Sequence, residues 1–497
     1  MKKQLSLFLA LLLAVSCAAG CSESAVNSEG ETPSAESVSE EAVSPEEAED
    51  AEEELSDDLP DVKFDGRDYV IYTRSCCENH KKGVYMPEMT GEVVDDAIYE
   101  RNLAVQERFD VNIPEPLLGP DGECAELNAS VQAGDDMCDV AIMHYKWLGN
   151  SATSGYFIDA ASVGYLGLEK PWWYQNVNDA YSFAGHYYVL VGMYDLDNYY
   201  DSVATYFNKN MFADYFPNDD LYSVVKEGKW TIDALRTYAD GVTTDLNGDG
   251  KMDPTNDQYG YGMANGYSFI YQFGWDQMIT ERDSEGYPQY VIHTERQVQI
   301  VDTLYDLLHG TGVVILDESG GPAVEAFKNG RLLFTIQNLS ASINFRDVEH
   351  DFGILPICKL DEAQERYLTH ATAHTSAVAI PITKDQAGFE YSEIILEAMA
   401  SEGFRQVRPA VYDVALKSKY TRDETSYEMI DIVINGRTAD FAEIFDNWGL
   451  TYTLDILVAR GASQDWASHH RTQIKINEKL IEKAAKQFAA IDKGGES

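Results

Sequence analysis

The sequence predicts an α/β protein whose strands run mainly parallel. Short runs rich in Val, Ile, Tyr and Thr alternate with helical stretches of ten or more residues, the pattern of βαβ units. The composition, 24 % charged and 44 % apolar over 497 residues, is that of a globular chain. That length suits roughly two to four domain-sized units with large buried cores. With 37 basic and 84 acidic residues the formal net charge is −47, which argues against binding nucleic acid or an anionic lipid surface through the body.

Lys2 and Lys3 open the chain, and an apolar run from Leu5 to Val15 follows. The run is too short to span a bilayer and ends in Ala18-Ala19-Gly20 before Cys21, the layout of an export signal. Small residues ahead of a Cys resemble a bacterial lipobox. That resemblance makes residues 1–21 a lipoprotein signal peptide and puts a diacylglycerol on the thiol of Cys21, holding the chain on the outer face of the cell membrane. Ala18 stands where Leu is usual, Cys17 is a second candidate, and an ordinary secretory signal is the alternative. No later apolar stretch approaches the ~20 residues needed to cross a membrane, so membrane contact is expected through the N-terminal lipid only.

Residues 22–61 have another composition. Of these 40 residues 16 are Asp or Glu and none is Lys or Arg, the rest being mostly Ala, Ser, Val and Pro. Such a segment buries too little apolar surface to offset its ordering entropy, and it reads as an extended acidic tether.

The body then alternates. Asp68–Thr73 reads as a strand, Asp95–Asp110 as a helix with Ile98, Leu103, Val105 and Phe109 apolar, and Val111–Ile113 as a strand. A helix around Ala125–Ala133 leads to the strand Asp139–Met143. Parallel sheets bind ligands beyond the carboxyl ends of their strands. This singles out the loops Arg74-Ser75-Cys76-Cys77-Glu78 and His144-Tyr145-Lys146-Trp147. Beyond the signal, Cys76, Cys77, Cys124, Cys138 and Cys358 are odd in number, so a Cys124–Cys138 bridge and plain buried thiols both remain open. Cys76-Cys77 with His80 lacks the second clustered pair of a metal site.

The middle of the chain carries a resemblance. Tyr187–Gly192 followed by Ala204–Phe212, then Gly228-Lys229-Trp230-Thr231-Ile232-Asp233, Asp257–Gly260, Ala326–Arg331, Asp351–Pro356 and Arg422–Val433 are similar, in order and spacing, to extracellular solute-binding protein family 1. These are the substrate-binding lipoproteins of sugar-importing ABC transporters, of the maltose-binding type. The resemblance implies a two-lobed periplasmic-binding-protein type II fold with hinge crossing strands and a ligand cleft. Lobe one would comprise residues 62–203 and 357–402, and lobe two residues 204–356 and 403–497. Crossings would fall near Ser202–Thr205, Gly353–Pro356 and Ser401–Pro409. Thr231 would cap a helix with Trp230 packed behind it.

A sugar needs flat aromatic platforms for its C–H faces and hydrogen-bonding side chains for its hydroxyls. Carried over loop by loop, the resemblance implies Arg74, Glu78, Tyr145, Lys146, Trp147 and Asp201 from lobe one. From lobe two it implies Trp275, Asp276, Gln337, Asn338, Asn447 and Trp448. For each, the alternative is structural: a Trp in the core, an Asp in a turn or cap. The Tyr-rich stretch Tyr194–Tyr200 is a further rim candidate, and His370 and His374 lack a clear third metal ligand.

Asp245-x-Asn247-x-Asp249-Gly250-Lys251-x-Asp253 has the spacing of a calcium loop, the Lys251 carbonyl at position 7. Position 12 is Asn256 rather than Glu, with Asp257 one residue late. A structural Ca²⁺ and an Asx- and Gly-rich turn are both open, and no catalytic cofactor is expected. The leading function is a monomeric, lipid-anchored binding protein that takes a carbohydrate, as an oligosaccharide, and passes it to the permease subunits. The alternative is an exported carbohydrate-active hydrolase. With 84 acids a carboxylate pair arises by chance, and no Gly-x-Ser-x-Gly or His-Glu-x-x-His occurs. A dockerin-like scaffold would carry two such loops in a short domain, whereas a single loop stands here in a long body.

Overall fold

The β-branched and aromatic runs become strands in a computed structural model that describes residues 56–75, 78–120, 124–292, 294–310, 314–371, 375–416, 424–444 and 450–494. The export signal, Cys21, the tether to residue 55, Cys76, Cys77, His374, Asn447 and Trp448 lie outside the described residues. The strands of the two main sheets are, in chain order, β1 (Ile71–Arg74), β2 (Leu117–Gly119), β3 (Val140–His144), β4 (Val203–Asn208), β5 (Tyr259–Ala264), β6 (Val314–Asp317), β7 (Leu332–Asn338), β8 (Phe352–Leu355) and β9 (Ser376–Ala379). Helices that bear on the argument are α1 (Val93–Phe109), α2 (Ala125–Ala133), α3 (Tyr145–Ala152), α4 (Asp197–Tyr200), α5 (Ile232–Val242), α6 (Gln386–Glu402) and α7 (Trp466–Gly494).

One sheet has the order β9-β3-β1-β2 and the other β6-β5-β7-β4-β8. In the first, β1 runs parallel to β2 and β3, while β9 is antiparallel with Ser376 opposite His144. In the second, β5, β6 and β7 are parallel, and β4 runs against β7 with Val203 opposite Asn338. All residues of β1, β3, β4 and β5 are buried, so these strands read as continuous apolar runs rather than alternations. Helix α1 turns Val94, Ala97, Ile98, Val105 and Phe109 inward at helical spacing. Leu103, also apolar, falls on its outer face and is exposed. Thr231 caps α5 through Ala234 N at 3.4 Å, and the Trp230 indole donates to the Pro356 carbonyl at 3.0 Å.

Helix α6 is buried along most of its length and carries two carboxylates inside. Glu397 accepts from the indoles of Trp172 and Trp173 at 2.7 and 2.8 Å, and Glu393 accepts from Tyr165 N at 3.0 Å. Together they hold the loop 164–173 against the helix. The end of the acidic stretch is also structural: Asp57 is buried and accepts from both Arg108 terminal nitrogens and from Ser401 Oγ at 3.1 Å. Residues 57–61, read from their acidity as tether, are thus part of the body, because a basic side chain from α1 neutralises the first carboxylate.

Three extended segments lie side by side where the chain passes between the sheets. Ser202 bridges Ala371, Val203 N donates to the His370 carbonyl at 3.2 Å, and Thr369 N donates to the Gly436 carbonyl at 2.8 Å. Thr438 N returns a bond to Thr369 O at 2.9 Å. The other expected crossings fall elsewhere. Phe352–Leu355 is the edge strand β8, and residues 403–407 continue α6 as a π-helical turn packed on α1. Residues 357–364 stay with the larger sheet's surroundings, with Lys359 N bonded to Trp230 O and Gln364 to the Gly274 carbonyl. Cys124, Cys138 and Cys358 are free buried thiols, each pushed up to about 12 by burial.

Candidate binding site

Parallel strands end at one edge of their sheet, and here both edges meet the same segment. In the smaller sheet β1 ends at Arg74, β3 at His144, and the antiparallel β9 starts there at Ser376. In the larger sheet β5, β6 and β7 end at Ala264, Asp317 and Asn338, and β4 starts there at Val203. Residues 197–203, from α4 into β4, join the two. Asp197 takes a 3.6 Å ion pair from buried Arg74, whose Nη2 also donates to Ser376 Oγ at 3.1 Å. Ser340 N donates to Tyr200 O and Leu339 N to Ser202 O on the other side.

The loop after β3 winds at once into α3, because His144 Nδ1 accepts from Lys146 N at 3.2 Å and caps the helix. This stacks His144 on Tyr145 and sets Trp147 beside it, both with centroids 4.8 Å apart. Tyr145 stacks on Tyr181 at 5.9 Å and 9°. The Lys146 ammonium sits 5.2 Å from the centre of the Tyr452 ring. From there the rings continue into the larger sheet's side: Tyr452 on Phe269 at 4.7 Å, then Phe269 and Phe273 on His370. His370 Nε2 lies 2.6 Å from Glu443, whose other oxygen accepts from Tyr181 OH at 3.1 Å. Burial and the nearby Glu443 carboxylate push the Tyr181 phenol well above its ordinary value, so it remains a donor. Tyr267, pushed up to about 12 mainly by burial, likewise keeps its proton beside Asp201.

The larger sheet's edge also holds oxygens without hydrogen-bond partners. Ser202 Oγ, Asn265 Oδ1 and Asp317 Oδ2 are all shielded from water and unmatched. Unpaired buried oxygens are costly, and a polyhydroxylated guest would supply the missing donors.

The structure places Arg74, Tyr145, Lys146, Trp147, Asp201, Gln337 and Asn338 at or next to these strand ends. Glu78 opens the helix Glu78–Val84 just beyond β1. Trp275 is a correction: it is fully buried with its indole donating to Cys358 O at 3.0 Å, a core residue and no platform. Asp276 is an exposed turn residue with φ 55°. Within the Tyr-rich stretch, Tyr194 and Tyr199 are core residues bonded to backbone carbonyls. Tyr181, Phe269, Glu443 and Tyr452 were missed.

The Asp245 loop lies apart from this site. Both Asp245 oxygens accept backbone N–H groups, from Gly248 and Gly250 at 2.7 and 2.8 Å. Asn247 and Asp249 each accept from the residue two ahead, and buried Asp257 closes the loop on Leu246 N and Asp253 N. Asp253 accepts from Thr255 N at 2.7 Å. The arrangement is a series of Asx turns. Among the described residues no group of three or more His, Cys, Asp or Glu side chains is placed to hold a metal ion.

Solved structures match this architecture over most of the chain. An ABC transporter solute-binding protein from Thermotoga lettingae, bound with α-D-tagatose, is 14 % identical, with 84 % of this chain and 100 % of that one covered at a TM-score of 0.50. UspC from Mycobacterium tuberculosis is 13 % identical over 84 % of this chain and 100 % of that one, with a TM-score of 0.52. A cyclo/maltodextrin-binding protein complexed with maltotetraose is 13 % identical over 86 % and 98 %, with a TM-score of 0.51. The chain has the fold of the two-lobed ABC solute-binding proteins. No family model and no curated protein matches the sequence. Isolated bridges join Ser202 to Ala371 and Thr369 to Arg437 in the segments that connect the two sheets. Among the described residues no helix is long and apolar enough to cross a membrane.

Proposed function

We propose that this chain is the solute-binding component of an ABC importer, taking a carbohydrate between the carboxyl edges of its two sheets. The observation that carries this reading is an aromatic and cationic row, Trp147, Tyr145, Lys146 and Tyr452, just beyond the end of β3, together with unmatched oxygens on Ser202, Asn265 and Asp317 at the strand ends of the larger sheet. Rings suit the C–H faces of a sugar and the oxygens suit its hydroxyls. The tagatose and maltotetraose in two of the matching structures support the same class. Closing both edges on one ligand favours the closed population, which a permease can recognise. The chain is further proposed to be a monomer tethered by a lipid on Cys21, with residues 22–56 as spacer.

Calorimetry against maltotetraose, tagatose and a panel of oligosaccharides, with product analysis, tests the reading. Saturable binding with the sugar recovered intact is expected; conversion of the sugar would establish a hydrolase instead. Lys146→Met keeps the volume and removes the charge, and should weaken binding about tenfold or more, the loss of one charged hydrogen bond. Its melting temperature should stay within about a degree of the parent, and binding left intact would remove Lys146 from the site. Cys21→Ser should release the chain from membranes into the soluble fraction, and retained membrane association would overturn the lipid anchor.

A further inference from the structure

A cavity of about 300 Å³ opens between Trp173, Tyr174, Gln175 and Asn176 on one side and Asn435 and Arg437 on the other. It shares no residue with the carbohydrate site. Arg437 is 3 % exposed. Its guanidinium lies 4.1 Å from the centre of the Tyr174 ring, and Nη1 donates to the Asn198 carbonyl. The Tyr174 hydroxyl donates to the same carbonyl at 3.0 Å. Arg437 Nε is buried with no hydrogen-bond partner.

The missing element is a counter-charge. Buried Arg74 has Asp197 at 3.6 Å, but among the described residues no carboxylate pairs with Arg437, in a chain with 84 acids and 37 bases. A buried cation met by a ring face, the Tyr174 hydroxyl and one carbonyl, with no carboxylate paired to it, is held at a cost that an oxyanion would offset, and the planar guanidinium is the side chain best shaped to take one. The cavity is at the lower end of the ~300–1,000 Å³ range of small-molecule sites. Five of the six wall residues named carry a ring or a side-chain amide, which suits an organic body behind the charged head.

We propose that this cavity binds a small organic anion, a carboxylate or phosphate on a body of about monosaccharide size, with Arg437 as its counter-ion and Trp173 and Tyr174 as its wall. Arg437 belongs to the extended segment that pairs with Thr369, so the site lies at the crossing between the lobes.

The test is calorimetry and thermal melting of the full chain with sodium glucuronate, sodium phosphate and sodium acetate, each against sodium chloride at equal ionic strength. At least one oxyanion is expected to bind saturably and raise the melting temperature above the chloride control. Glucuronate binding best assigns the larger body, and phosphate binding alone assigns the charged head as the determinant. Asn176→Trp fills the exposed mouth without touching Arg437 and should abolish binding with an unchanged apo melt. Arg437→Met should weaken it at least tenfold; should that variant not fold, Asn176→Trp decides. Lys146→Met should leave anion binding intact while weakening sugar binding. No saturable binding over chloride overturns the proposal, as does binding that survives Asn176→Trp or is lost in Lys146→Met.

Discussion

Glu397→Ala is expected to destabilise the protein by about 3–5 kcal/mol, read as a shift of the chemical-denaturation midpoint. The carboxylate is fully buried and accepts from two indoles at once, at 2.7 and 2.8 Å. Truncation leaves both N–H groups of Trp172 and Trp173 without acceptors in a site water does not reach, and opens a cavity beside them. Glu397→Gln keeps one acceptor oxygen but turns an NH₂ group on the other indole, so its cost should lie between Ala and the parent. An Ala variant within ~0.5 kcal/mol of the parent would show that the loop 164–173 is held by packing alone.

Stability should also fall as pH rises from 5 to 8.5. Burial pushes Glu393 up to about 8, Glu397 to about 7 and Asp440 to about 6, from ordinary values of 4.5, 4.5 and 3.8. Between those ordinary values and the native ones the folded chain holds protons that the unfolded chain releases. The stabilisation is therefore fully present below about pH 4 and is lost as pH passes the native values, about 1.4 kcal/mol per unit of difference. Asp57 acts in the opposite sense only in stronger acid: burial raises it, but the Arg108 hydrogen bonds and charge hold it below 3.8. Repulsion among 84 acids has the same sign as the buried glutamates but is screened by salt, so melts in ~0.5 M salt isolate the buried groups. Glu393→Gln, neutral at every pH, should flatten the profile above pH 6. A parent melting temperature equal at pH 5.5 and 8.5 under these conditions would contradict the assignment.

What was legible in the sequence was local. The strands Ile71–Arg74 and Val140–His144 and the helices α1 and α2 follow from short-range pattern, and the cap at Thr231 from a single residue type. The loops after β1 and β3 were legible because the carboxyl-end rule needs only strand order. What failed depends on partners far along the chain. Trp275 looks like a platform until Cys358, 83 residues on, takes its indole proton. Tyr181 and Glu443 meet across 262 residues, and nothing near either one marks the encounter. The bridged segments at Thr369–Ala371 and Arg437 gave no signal because a two- or three-residue extended segment has no period to detect.

Strand β9 has a consequence for how the molecule is made. The partner of His144 is Ser376, so the smaller sheet stays open on that side until about three-quarters of this sequence is available. Such distant pairing carries a large loop-closure entropy and slows folding. On the exported reading proposed above, that delay would keep the chain a loose thread while it passes a secretion channel.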